Sequence, residues 1–176
     1  MKLFHFSEEA GIEEFVPRAV EAVRSPEREW LNEPLVWAID DWHQPMYLFP
    51  RDCPRILVWP VATTSASDRE RWFGTSGSRM IAHVEEGWLE RIGSTRLYRY
   101  EFLPDSFVCL DDAGMWVSRC SVTPSAVEAL DDLPGTLREA GVELRAMPSL
   151  APLRDAWATT LHVSGIRLRN ARGWLP

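Results

Sequence analysis

The chain has 176 residues, 45% of them hydrophobic and 26% charged, with a formal net charge of −7. That composition suits one globular domain over residues 1–176 with its own apolar core, and it lacks the run of about 18 apolar residues that a membrane span needs. The acidic balance excludes non-specific binding to duplex nucleic acid, which requires a basic surface to neutralise phosphates.

Lys2–Phe6 reads as a short strand, and Ser7-Glu8-Glu9 with Gly11 as a turn. Ile12, Phe15 and Val16 have helical spacing, ended by Pro17. Residues 18–33 are charged and suit a surface helix or loop. Pro34 opens a continuous apolar strand, Leu35–Ile39. Asp40 and Asp41 follow it as good N-cap residues, so 42–49 reads as a short helix with Pro45 in its first turn. Ile56–Trp59 is a strand, and Thr63–Arg71 a loop and helix capped by Ser65 or Ser67. Met80–Val84 is a strand, and Glu85–Ile92 a helix stopped by Gly93. Leu97–Phe102 alternates as a half-exposed strand. Phe107–Leu110 and Met115–Ser118 flank an Asp-Asp-Ala-Gly turn, a hairpin signal. Residues 125–140 read as one or two helices broken at Pro134-Gly135, 142–145 as a strand, 153–161 as a helix, and 166–176 as a basic tail or last strand. Short strands and helices without regular βαβ alternation point to an α+β fold.

Cys53, Cys109 and Cys120 have no CxxC spacing, so neither a disulfide framework nor a zinc site is expected. The N-terminus lacks the apolar segment of a secretory signal, and a cytoplasmic protein is expected. Lys2 is the single lysine among nineteen basic residues, the rest being arginine. Arginine suits planar, two-pronged contacts to carboxylate or phosphate.

The stretch 34–59 concentrates the candidate groups after a rigid strand, and His5 adds to them. His5 is either a hydrogen-bonded core histidine or a contact to a ligand hydroxyl, with Ser7 beside it. Asp40-x-x-His43 invites a metal reading, but no second ligand cluster accompanies it, so no metal is expected and capping is the role assigned to the aspartates. Tyr47 either packs in the core or stacks on a base. Arg51 and Arg55 straddle Asp52, as a surface ion pair or as a grip on phosphate. Arg119 and the tail Arg167, Arg169 and Arg172 are further basic elements. Cys53 has no neighbouring base to activate it. No G-x-G-x-x-G, P-loop or G-x-S-x-G motif occurs.

The pieces LFHFSEE, PLVWAIDDWHQPMYLFPRDCPR, LYRYEF, MWVSRCSVTP, VELRAMPSL and SGIRLRNAR resemble, as a set spanning nearly the whole chain, a family of uncharacterised bacterial proteins with no assigned activity. At the level of fold the chain also resembles ADP-ribosyltransferase-like proteins, which carry a histidine on the first strand, an aromatic or polar residue after the second, and an acid on a later strand. His5 matches the first position and Tyr47 the second. No glutamate stands near 115–118, where the third is due, and Glu101 on the preceding strand is the substitute. RNA 2′-phosphotransferases share the fold, also lack that glutamate, and use histidine and arginines.

The resemblance implies a split mixed and antiparallel sheet with short helices. It also implies a small-molecule or nucleotide ligand, NAD or a phosphorylated ribose, with glycosyl or phosphate transfer at the ribose. His5, Tyr47 and Glu101 would be the catalytic set. His5, Ser7, Tyr47, Arg51, Arg55 and Arg119 would bind the ligand. Two alternatives stay open: a binding or interaction module without chemistry, and a biosynthetic enzyme acting on an unrelated small molecule.

Overall fold

A computed structural model describes residues 1–19 and 26–174. The chain is an α+β protein with one antiparallel and one mixed sheet and a few short helices. It divides into two compact units, Met1–Gln44 with Leu97–Leu130, and Pro45–Arg96 with Asp131–Pro176.

The first unit is a six-stranded antiparallel sheet. Its strands are β1 (Leu3–Ser7), β2 (Val36–Asp40), β5 (Leu97–Phe102), β6 (Val108–Cys109), β7 (Met115–Ser118) and β8 (Ala126–Leu130), in the order β6-β7-β2-β1-β5-β8. Strand side chains alternate between faces, and the register shows which residues share one. Leu3 lies opposite Phe102, His5 opposite Tyr100, and Ser7 opposite Tyr98. On that face Leu3, Val36, Ala38, Tyr100 and Phe102 form a core with Phe107 and Val122. Phe15 closes it. Its ring meets Tyr100 and Phe102 edge-on, both at 5.0 Å, and its backbone pairs with Val122. The helical turn expected at Ile12–Val16 is therefore absent. Burying Phe15 on the sheet outweighs its spacing, and the buried Tyr100 hydroxyl fixes the segment by accepting from Ile12 N–H at 3.1 Å and donating to Glu9 O at 2.8 Å.

The second unit is a mixed sheet of β3 (Arg55–Trp59), β4 (Met80–Glu85), β9 (Val142–Met147) and β10 (His162–Ile166), in the order β10-β3-β4-β9, with only β4 and β9 parallel. Every residue of β3 and β4 is buried, which explains their unbroken apolar runs. Ile56, Val58 and Ile81 pack with Trp72 and Phe73 of α1 (Ala66–Phe73). Ser65 caps α1 by accepting from Asp68 N–H at 3.1 Å, as its sequence suggests. Helices α2 (Leu89–Ser94) and α3 (Leu133–Glu139) complete the unit.

Four further expectations change. The stretch 42–49 contains a 3-10 turn at Gln44–Tyr47, and Leu153–Leu161 lies within a 3-10 segment, Ala151–Ala158, and its exit. Glu85 belongs to β4, with α2 starting only at Leu89. Residues 126–130 are strand β8, and Pro134-Gly135 opens α3 rather than breaking it. Pro is tolerated in a first helical turn, and a Cβ on Gly135 would fall 2.1 Å from the capping Asp132 carboxylate. The charged stretch 18–33 lies partly outside the described residues; inside them, Pro26–Asn32 is 3-10. Among the described residues no helix is long and apolar enough to cross a membrane.

Candidate functional site

Arg55 opens β3 and is 2% exposed. Backbone pairing holds it on both sides, to Ile166 of β10 and Val84 of β4. Its Nε donates to Met46 O at 2.7 Å, and Nη1 donates to Cys53 O at 2.9 Å. The rings of Phe49 and Tyr47 lie 5.1 and 5.7 Å from its Cζ, within cation–π range.

None of these partners carries a full negative charge. Three of the five N–H donors have no protein partner, and the guanidinium makes no ion pair, among the described residues. Among the described residues, the fully buried side-chain nitrogens without a hydrogen-bond partner are Trp72 Nε1 and His83 Nδ1. Burial pushes the guanidinium pKa down to about 10, and the charge of Arg167 acts in the same direction. A buried cation without a countercharge is costly. A countercharge at the guanidinium would offset that cost through charge-assisted hydrogen bonds.

The basic tail comes to this arginine. Ile166 pairs with Arg55, and Arg167 follows in a left-handed conformation with φ 55°. Asn170 Nδ2 donates to Asp52 O at 2.8 Å. The Arg51–Arg55 segment and the tail from Arg167 to Asn170 thus meet in the second unit. Tyr47 is half-buried against Arg55, and Arg51 is exposed. Cys53 is buried, and burial raises its thiol pKa to about 12, which suits neither a nucleophile nor a ligand.

The first unit holds His5, Ser7, Glu101 and Arg119. His5 Nδ1 lies 2.8 Å from Trp37 O, so Nδ1 carries the proton. Its ring packs 4.9 Å from Phe15. Ser7 Oγ accepts from Glu9 N–H at 3.1 Å and so shapes the turn after β1. Glu101 takes a different role from the expected one. It pairs in register with Phe4, on the sheet face opposite His5, and its carboxylate binds Lys2 at 2.8 Å. Arg119 is likewise engaged at the surface, donating to Glu33 at 3.1 Å with Cζ 5.6 Å from the Trp30 ring. Asp40 does cap, its Oδ1 accepting from His43 N–H at 2.8 Å. No group of three or more His, Cys, Asp or Glu among the described residues is placed to hold a metal ion.

Fold and site together define an α+β protein with a buried arginine at the start of β3. The chain matches the model of a family of unknown function, DUF6886, over residues 4–171 and belongs to that family. No curated protein and no solved structure matches it. Sequence reasoning missed Arg167 and Asn170 as neighbours of the Arg51–Arg55 motif. The density of arginine and asparagine in 167–172 was the available signal, but their location depends on the pairing of β10 with β3.

Proposed function

We propose that this protein binds a phosphate-bearing ligand of nucleotide type, NAD or a phosphorylated ribose, in the manner of ADP-ribosyltransferase-like proteins, with glycosyl or phosphate transfer at the ribose. The observation that carries the reading is Arg55, a buried guanidinium with spare donors and no carboxylate partner. A phosphate oxygen pair matches the planar fork of its Nη1 and Nη2. Arg167 adds positive charge beside it, and Tyr47 keeps its ring against the guanidinium. Such a site acts by positioning and charge stabilisation, without needing a strong base.

Calorimetry with NAD, ADP-ribose, a 2′-phosphorylated oligonucleotide and inorganic phosphate tests the binding, and nicotinamide release from NAD tests the transfer. Binding of at least one nucleotide ligand, weakened about tenfold or more by Arg55→Lys, is expected, since lysine loses the fork. Absence of binding by all four at millimolar concentration would sink the reading. A second reading, a binding module without chemistry, is favoured by Glu101 facing away from His5 and pairing with Lys2. Binding without nicotinamide release or phosphate transfer would select it.

A further inference from the structure

We propose that the second unit holds an internal water site between α1 and β4, where one water molecule joins Trp72 Nε1 to His83 Nδ1. The site is independent of the Arg55 reading.

Two polar rings stand where apolar ones would pack. Trp72 lies in the last turn of α1 and His83 in β4, at 8% and 6% exposure. Trp72 packs with Ile56, Val58, Phe73 and Ile81, and His83 pairs in register with Ile56. Those four side chains can neither donate nor accept. An indole nitrogen only donates, and a neutral imidazole offers one donor and one acceptor. The His83 ring bonds to the Ile56 backbone, yet its Nδ1 has no partner, and neither has Trp72 Nε1. A buried polar atom is costly unless bonded, so two in one place point to a shared partner.

The geometry allows one molecule to serve both. The rings meet edge to face, with centroids 6.1 Å apart and planes at 89°, and the two nitrogens make no bond to each other. One molecule bonded to both would hold them about 5 Å apart, a span within reach of rings at that separation.

The chemistry selects water. Burial pushes the His83 pKa down to about 4, so the ring is uncharged at neutral pH. Arg145, its register partner on β9, is already neutralised by Glu143 at 2.7 Å. Nothing there calls for an ion, whose burial unpaired would be costly. Water accepts from Trp72 and either accepts from or donates to Nδ1, so it satisfies both tautomers. Two polar partners meet the minimum for a buried water. Arg145 links the spot to solvent: its Nη1 donates to Trp72 O at 2.8 Å, and its side chain is 34% exposed. The water then ties the last turn of α1 to the middle of the sheet.

Two NMR measurements on the unsubstituted protein test the site. Water–protein NOE and ROE spectra read whether a long-lived water lies beside the Trp72 indole N–H, and cross-peaks of opposite sign are expected. Scalar coupling between Trp72 Nε1 and His83 Nδ1, which would report a direct N–H···N bond, should be absent. In His83→Leu the indole–water cross-peak should be lost, since the water keeps only one partner. No cross-peak in the unsubstituted protein, a direct nitrogen–nitrogen coupling, or an unchanged cross-peak in His83→Leu overturns the proposal. The first two readings need no substitution and decide the matter if His83→Leu does not fold.

Discussion

The two units treat charge in opposite ways. In the first, Lys2 binds Glu101, Arg99 binds Glu128 and Arg119 binds Glu33, all in pairs open to solvent. Its buried polar residues are the neutral Gln44 and Ser118. The second unit has surface pairs too, but it also buries Arg55, His83 and Glu85, at 2%, 6% and 8% exposure. None of those three is matched by an ion pair among the described residues. Arg55 donates to two carbonyls, and Glu85 accepts from Leu150 N–H at 3.4 Å and Arg172 N–H at 2.8 Å. Backbone dipoles replace countercharges there. Surface pairs add little stability, whereas a buried charge held by dipoles alone is retained at a cost. The second unit is therefore where charge should matter for stability and for ligands.

The sharpest way to break this contrast is acid. Burial pushes the His83 ring pKa down to about 4, with Arg145 acting in the same direction, against a hydrogen bond to the Ile56 backbone and the charge of Glu143. In the unfolded chain the ring protonates near its ordinary value of about 6.5. Between those values the unfolded chain binds a proton that the folded chain refuses. Stability should thus be level above about pH 6.5 and fall by about 3 kcal/mol on going down to about pH 4. Urea denaturation across that window reads the loss, and His83→Leu should flatten it. An equal slope in the variant would remove His83 as the cause.

Arg55 gives the next largest effect. Arg55→Lys keeps the buried charge but replaces the fork with one compact head, and should cost about 2 kcal/mol. Arg55→Met removes the charge but leaves the carbonyls of Met46 and Cys53 unpaired, and should cost about 1 kcal/mol. Inorganic phosphate at about a hundred times its Kd should stabilise the unsubstituted protein by about 2.7 kcal/mol, Arg55→Lys by about half of that or less, and Arg55→Met not at all. If Met proves costlier than Lys, the charge is stabilising in place, and the contrast between the units fails.

Much of the fold is legible in the chain because strands carry their own period. Leu35–Ile39, Ile56–Trp59, Met80–Val84 and Leu97–Phe102 fall within about a residue of the observed strands, the usual margin at element ends. Segments governed by distant partners were not legible. Ile12–Val16 has helical spacing, yet Phe15 is drawn into a bridge with Val122. Residues 126–130 have helix-forming composition, yet they pair with β5. The candidate site divides in the same way. Arg51 and Arg55 stand out locally, whereas Arg167 reaches them only through the pairing of β10 with β3. Glu101 is most instructive. Which face it takes follows from its register opposite Phe4, and a single sequence does not contain a register.

That register makes the smallest of the expected effects decisive for the catalytic set. Glu101 and His5 lie on opposite faces of one sheet, and Glu101 is held by Lys2, whose side chain is 64% exposed. Arg119 and Glu33 are similarly open, at 64% and 54%. Glu101→Gln and Arg119→Met should each change stability by less than about 0.5 kcal/mol, as exposed pairs do. Neither should alter the affinity for ADP-ribose measured by calorimetry, while Arg55→Lys weakens it. Equal weakening by Glu101→Gln would mean that the acid reaches the ligand after all, and the sheet register could not then describe the binding state. Equal weakening by Arg119→Met would return that arginine to the phosphate-binding set, and charge on the first unit would count as much as charge on the second.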